Sequence, residues 1–344
     1  MSFSKYNNGL NDISYNLNTK NKIVSSVEAP NTDLDGNRKF ETQHLHEIDS
    51  AFNNKNIKTS NLSTILNTPI PKIDFIQSGF KLGTVGFLNA PGATGKSFFA
   101  IQTAMSIASH NKYKLISSLN YMSGKVTYIT GEDDLSTLNI RMRAISKDFD
   151  KKTIEKISEN LTVVDVIAEG IKFLDFNVHN KIQKNEKTIE ILNNIAKHSD
   201  LIILDTLSRF HFAKENDNGE MILLLSIFEK VAQLNNCSIL ILHHTNKSSA
   251  TNNNQDQQSA RGASALIDNC RYMISLMKMS KEDSKIYFGK EDDSQRNYYI
   301  KCSFPKANYT APISDIWLKK TEGGKLIEII KPFSSSTKGS KYGS

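Results

Sequence analysis

Eight residues, Ala90-Pro91-Gly92-Ala93-Thr94-Gly95-Lys96-Ser97, constrain the fold of this 344-residue chain more than any others. An apolar run, residues 84–88, leads into them, and a segment of helical periodicity, residues 98–107, follows. Strand, small-residue loop and helix in that order build a turn that cradles a polyphosphate. Small residues let backbone N–H groups face the ligand, and the helix N-terminus adds partial positive charge. Lys96 is placed to reach the β- and γ-phosphates, and the Ser97 hydroxyl to ligate Mg²⁺. Ala90 stands where the pattern G-x-x-x-x-G-K-S/T has its first glycine. A chance Gly-Lys-Ser turn is the competing reading, and the flanking strand and helix argue against it. The expected ligand is a nucleoside triphosphate, with all eight residues assigned to its site.

The rest of the chain repeats the alternation that this unit begins. Apolar runs of strand length fall at residues 84–88, 126–130, 161–166, 201–205 and 238–243, with helical patterns between them, the clearest at residues 220–232. Near-continuous apolar strands separated by helices predict an α/β fold with a mostly parallel central sheet covered by helices on both faces. After Arg271 the pattern shifts to residues 272–277, 297–304, 316–320 and 326–330, separated in part by turn residues such as Gly323-Gly324. That change predicts antiparallel strands added at one edge toward the C-terminus. Residues 1–68 are dominated by Asn, Ser, Thr, Asp and Lys and lack the apolar content to offset ordering entropy. They are expected to be a disordered extension, with a short docking segment around residues 62–66. A single domain is expected over 69–332, with a flexible tail over 333–344.

Composition adds boundaries. The net charge of +7 suits an anionic partner such as nucleic acid, although Lys-rich composition alone produces the same number. Cys237, Cys270 and Cys302 show no metal-ligand or disulfide spacing, and the first two sit among apolar residues as core filler. No apolar run reaches the roughly 18 residues of a membrane span, and the first residues do not read as a signal peptide. A soluble, cytoplasmic protein with no membrane partner is the expectation.

A triphosphatase needs further groups around its phosphate loop. The strand 201–205 ends in Asp205, which is positioned to hold the magnesium shell; a simple cap of the next element is the plainer alternative. The strand 126–130 leads to Glu132-Asp133-Asp134, and carboxylates beyond the C-terminal ends of parallel strands face the ligand. Glu132 is the candidate to orient or deprotonate the attacking water, while Asp133 and Asp134 also read as caps of a helix over 135–144. His243 and His244 end the next strand on opposite faces, which disfavours a shared metal site and lets one imidazole sense the γ-phosphate. Beyond them lies a long polar loop with Lys247, then a helical pattern over 259–271 carrying Arg261 and Arg271. Isolated helix arginines are usually solvated, but one that completes a neighbour's ATP site would be worth about 10³–10⁵ in turnover.

Several segments carry a specific resemblance: residues 204–211, Leu242-His243-His244, residues 256–264, residues 268–271 and residues 306–312. Together they resemble the RepA-type hexameric replicative helicases of plasmids, a RecA-like family, from about Leu62 to Lys331. The resemblance implies a RecA-like ATPase core, a six-subunit ring, and ATP-driven 5′→3′ movement on single-stranded DNA that unwinds forked duplex. It implies that Lys96 and Ser97 are the phosphate-loop pair and Glu132 the catalytic glutamate. Asp205 would be the Walker B aspartate, and His243 and His244 the paired histidines. Arg271 would be the arginine finger and Arg141 a further arginine at the nucleotide. A small residue at the Ala90 position also occurs in that family, whereas the first 60 residues have no counterpart in it. Arg209, Lys214 and Lys247 are the expected DNA contacts, with base stacking limited to Phe210 and Phe212. A replication initiator or primase is an expected partner. A RecA-like loader or recombination mediator that remodels DNA without unwinding it is the alternative; a small-molecule kinase would need neither the arginine segment nor the long loop.

Overall fold

The computed structural model describes residues 60–244 and 268–329. Lys247, Arg261, the polar loop over 245–258, the segment 259–267 and the tail lie outside the described residues, as does the extension up to residue 59. The chain divides into two units, residues 1–72 and 73–344. In the first, α1 (Leu62–Asn67) is capped by the Asn61 side chain, which accepts from the Thr64 N–H. Leu62, Ile65 and Leu66 on it are exposed.

The second unit opens with a small hairpin, β1 (Phe75–Gln77) and β2 (Phe80–Lys81), then β3 (Val85–Ala90) and α2 (Lys96–Ala108). There follow β4 (Val126–Thr130), α3 (Leu135–Ser146), α4 (Lys151–Asn160) and β5 (Leu161–Asp165). A second hairpin, β6 (Leu174–Phe176) and β7 (Ile182–Lys184), precedes α5 (Glu186–Ala196) and β8 (Leu201–Asp205). Next come α6 (Asn218–Asn235), β9 (Ser238–His244) and β10 (Tyr272–Lys278). Two short helices, α7 (Lys281–Phe288) and α8 (Asp293–Arg296), lead to β11 (Tyr299–Ala307), β12 (Ile316–Lys320) and β13 (Leu326–Ile329).

Nine strands form one sheet in the order β13-β12-β11-β10-β3-β9-β8-β4-β5. The six from β10 to β5 are mutually parallel and the last three antiparallel, as the pattern of apolar runs predicts. One boundary differs. The strand at 272–278 pairs parallel to β3 and antiparallel only to β11, so the switch of direction falls one strand later than the sequence suggests.

Strand alternation sorts the core into two layers. Leu88, Tyr128, Leu201, Ile203, Leu240 and Leu242 face one side, packed with Phe99, Ile101 and Met105 of α2 and Ile157 of α4. Phe87, Ile129, Ile202, Leu204, Ile239 and Ile241 face the other, against Leu192 of α5 and Leu224, Phe228 and Val231 of α6. Almost all of α2 is buried, which explains why its sequence is apolar around most of its circumference. All three cysteines are buried, and none is in a disulfide. No described helix is long and apolar enough to cross a membrane.

Candidate nucleotide site

The phosphate loop leaves the C-terminal end of β3 at the middle of the sheet and turns directly into α2. Ala93 and Gly95 have φ of 60° and 108°, and Gly95 is the helix N-cap. The left-handed geometry at Gly95 favours glycine, which accounts for the second glycine of the pattern. A Cβ built on Gly92 would meet nothing within 4 Å, so the space over the loop is open to a ligand.

Neighbouring strands deliver the other groups to the same edge. A cleft of about 250 Å³ is lined by Gly92, Lys96, Ser97, Glu132, Arg141 and His244, with Phe98, Asp133 and Lys320 at its rim. Lys96 is buried, and its ammonium donates to Thr206 Oγ1 at 3.5 Å. Burial pulls its pKa down to about 8, against the attraction of Asp205 and Glu132. Asp205, at the end of β8, is also buried; burial pushes its carboxyl above the usual range, while hydrogen bonds from Tyr128 and Ser97 and the Lys96 charge oppose the rise. Desolvation therefore outweighs the mutual attraction of a buried lysine and a buried aspartate. Asp205 Oδ1 and Thr94 Oγ1 are buried without a hydrogen-bond partner. Orphaned acceptors beside an ammonium and a serine hydroxyl fit a magnesium triphosphate, which would supply the missing ligands.

Glu132 lies beyond β4, with its Oε2 3.6 Å from His244 Nε2. The two histidines point apart, as alternation requires. His244 is half exposed and lines the cleft. His243, also expected at the nucleotide, is buried behind the cleft lining, with its Nε2 3.9 Å from Glu215 and no hydrogen bond. Burial and the nearby Lys96 charge pull its pKa down to about 4. Asp134 is the N-cap of α3, accepting from Thr137 N–H, and Asp133 forms an ion pair with Arg141. Arg141 also lies 5.7 Å from the Phe98 ring centroid.

Arg271 is the residue the structure moves. It stands at the bend entering β10 and not on a helix, because the strand begins at Tyr272. Register pairs Tyr272 with Gly86, so Arg271 lies level with the start of β3, at the edge opposite the phosphate loop. Five residues of extended strand separate the two ends by roughly 15 Å. There Arg271 lines an open cavity of about 410 Å³ with Lys81, Glu229, Gln233, Asn236 and Tyr309. It does not reach the cleft of its own chain.

The expected DNA contacts divide similarly. Arg209 and Lys214 are exposed on the segment after β8, and Lys247 lies outside the described residues. Phe210 is not available for stacking; it is buried in the core against Phe173. Sequence reasoning missed Tyr128, Thr206, Glu215 and Lys320. For Tyr128 a signal existed, a hydroxyl in the middle of an otherwise apolar buried strand, while the others depend on register between distant segments.

This chain aligns with several solved structures. A DnaB-like replicative helicase, reported with its interactions with primase, aligns over 83% of this chain and 70% of its own at 14% identity, TM-score 0.53. The RadB recombinase aligns over 72% and 92% at 14% identity, TM-score 0.44. A KaiC-like protein from the hyperthermophilic archaeon Pyrococcus horikoshii aligns over 74% and 94% at 15% identity, TM-score 0.46. The mostly parallel sheet with its antiparallel C-terminal strands is the RecA-like fold. The AAA domain family matches residues 55–250, more than half of the chain, and the chain belongs to that family.

Proposed function

We propose that this chain is the subunit of a ring-forming, ATP-hydrolysing DNA helicase serving replication of a plasmid or other mobile element. The observation that carries this reading is the split of charge between the two edges of the sheet. Lys96, Ser97, Glu132, Asp205 and His244 converge at one edge, and Arg271 projects from the other.

Lys96 grips the β- and γ-phosphates of ATP, and Ser97 and Asp205 would hold Mg²⁺. The metal, when bound, neutralises charge that develops on the phosphate oxygens. Glu132 orients the attacking water and accepts its proton at a carboxylate oxygen, and His244 holds that carboxylate in place. Arg141, fixed by Asp133, adds positive charge at the cleft mouth. Arg271 completes the site of an adjacent subunit, so hydrolysis requires assembly. Arg209 and Lys214, and Lys247 in the following loop, contact single-stranded DNA through phosphates. The DnaB-like structure's interaction with primase favours a primase or initiator as a partner.

An unwinding assay with 5′- and 3′-tailed forks, run beside electron microscopy of the same sample, tests the reading. ATP-dependent strand displacement by rings is the expected result. Hydrolysis stimulated by single strands without displacement would overturn the helicase assignment in favour of a remodelling switch.

A further inference from the structure

The hairpin β6–β7 has no part in the reading above, yet it carries one of a pair of exposed, stacked aromatic rings. Phe176 on β6 and Phe212 beyond β8 are 51% and 48% exposed, yet stack on each other with ring centroids 5.8 Å apart and planes 20° from parallel. Backbone bonds lock the pair in place. Phe212 N–H donates to Leu174 O at 3.1 Å, and Phe173 N–H to Phe210 O at 2.7 Å, so a parallel bridge between Leu174 and His211 ties the segment 210–212 to the hairpin. The Asn177 side chain accepts from the N–H groups of His179 and Lys181 and stiffens the tip. Lys172 Nζ donates to Arg209 O and lies 5.0 Å from the Phe212 centroid. Arg209 adds a second positive charge near Lys172, and Asp175 supplies a carboxylate beside it.

We propose that this pair of rings is a stacking platform for the bases of single-stranded nucleic acid, with Lys172 and Arg209 holding the adjoining phosphate. The inference rests on the nucleic-acid reading above and adds a contact in the hairpin. Two ring faces are far smaller than the roughly 1,000 Å² that a stable protein partner needs, whereas one base needs only a single ring face beside a cation. The platform continues the segment that follows Asp205, on the same edge of the sheet as the nucleotide cleft. Glu215, three residues past Phe212, contacts His243 behind that cleft.

The test uses the full chain and a labelled oligo-dT strand. Phe176→Leu and Phe212→Leu should each weaken binding about five- to hundredfold, with an unchanged salt slope. Lys172→Gln should reduce the salt slope. Phe212→Trp supplies a direct signature, because the native Trp317 is buried and a stacked base would quench only the new indole. Parental affinity in both leucine variants, or weakening that tracks a change in oligomeric state by light scattering, overturns the platform. An unquenched indole at saturating oligonucleotide also overturns it. Failure of the parent protein itself to bind the strand sinks the nucleic-acid reading, and the platform with it.

Discussion

The two edges of the parallel sheet have opposite characters. At the C-terminal edge Lys96 and Asp205 are buried and attract each other, with Lys96 donating to Thr206 and Tyr128 donating to Asp205. At the N-terminal edge Arg271 is exposed in an open cavity, with Glu229 as the carboxylate it influences. A buried cluster with orphaned acceptors can hold a ligand by itself, whereas an exposed arginine remote from that ligand acts only on something brought to it. On the proposed function, the contrast assigns binding to groups within the chain and would divide turnover between chains.

The largest effects test that division. Lys96→Ala and Asp205→Ala should abolish ATP hydrolysis, and Lys96→Ala should also weaken nucleotide binding, because each removes a buried partner of the phosphates or metal. Arg271→Ala should leave nucleotide binding intact and lower turnover by about 10³–10⁵. Mixing sharpens the comparison. A Lys96→Ala subunit still offers its Arg271, so combining the two inactive variants should restore part of the activity. Parental hydrolysis by Arg271→Ala, or no recovery on mixing variants that co-assemble, would break the division between the edges.

A smaller effect concerns acid. His243 has a folded-state pKa of about 4, against about 6.5 when unfolded. Between those values the unfolded chain binds a proton that the folded chain excludes, so stability falls as pH drops from about 6.5 toward 4. The shift corresponds to roughly 3 kcal/mol at the acid end. His211, whose pKa burial also lowers, acts in the same direction. Urea unfolding of His243→Asn across this window should show a shallower decline than the parent. Equal slopes would mean that the C-terminal edge is not the source of acid sensitivity.

The parallel core was legible because buried strands write themselves as apolar runs. The predicted 126–130 and 201–205 coincide with β4 and β8. The phosphate loop was legible because its geometry demands glycine and small residues at fixed offsets. The hairpin β6–β7 was not, since Leu174-Asp175-Phe176 and Ile182-Gln183-Lys184 are too short to show a period and depend on backbone bonds to residues 210–212. Phe210 and Phe212 look equivalent in sequence, yet one enters the core and the other the surface, a difference set by the turn after β8. Alternation separated His243 from His244 but could not say which faces the nucleotide. That assignment follows from register with β3, where His244 pairs with Ala90.

The smallest expected effect probes why a tyrosine is buried beside the carboxylate proposed to hold the metal. Tyr128 is fully buried, and its hydroxyl donates to Asp205 Oδ2 while Oδ1 has no partner. Tyr128→Phe keeps the ring and its packing but removes that donor, leaving Ser97 and the Lys96 charge to hold the carboxylate. An under-satisfied buried acceptor costs about 1–2 kcal/mol, which should appear as a lower urea midpoint with an unchanged slope. The same bond opposes the burial that raises the Asp205 carboxyl, so its loss should raise that carboxyl further. Magnesium requires the ionised form, so the variant should need more Mg²⁺ for half-maximal hydrolysis, with the deficit shrinking as pH rises. A stability loss without any shift in the Mg²⁺ titration would reduce Tyr128 to a packing residue. A pH-dependent shift would instead make it part of what keeps the C-terminal edge charged and ready for its ligand.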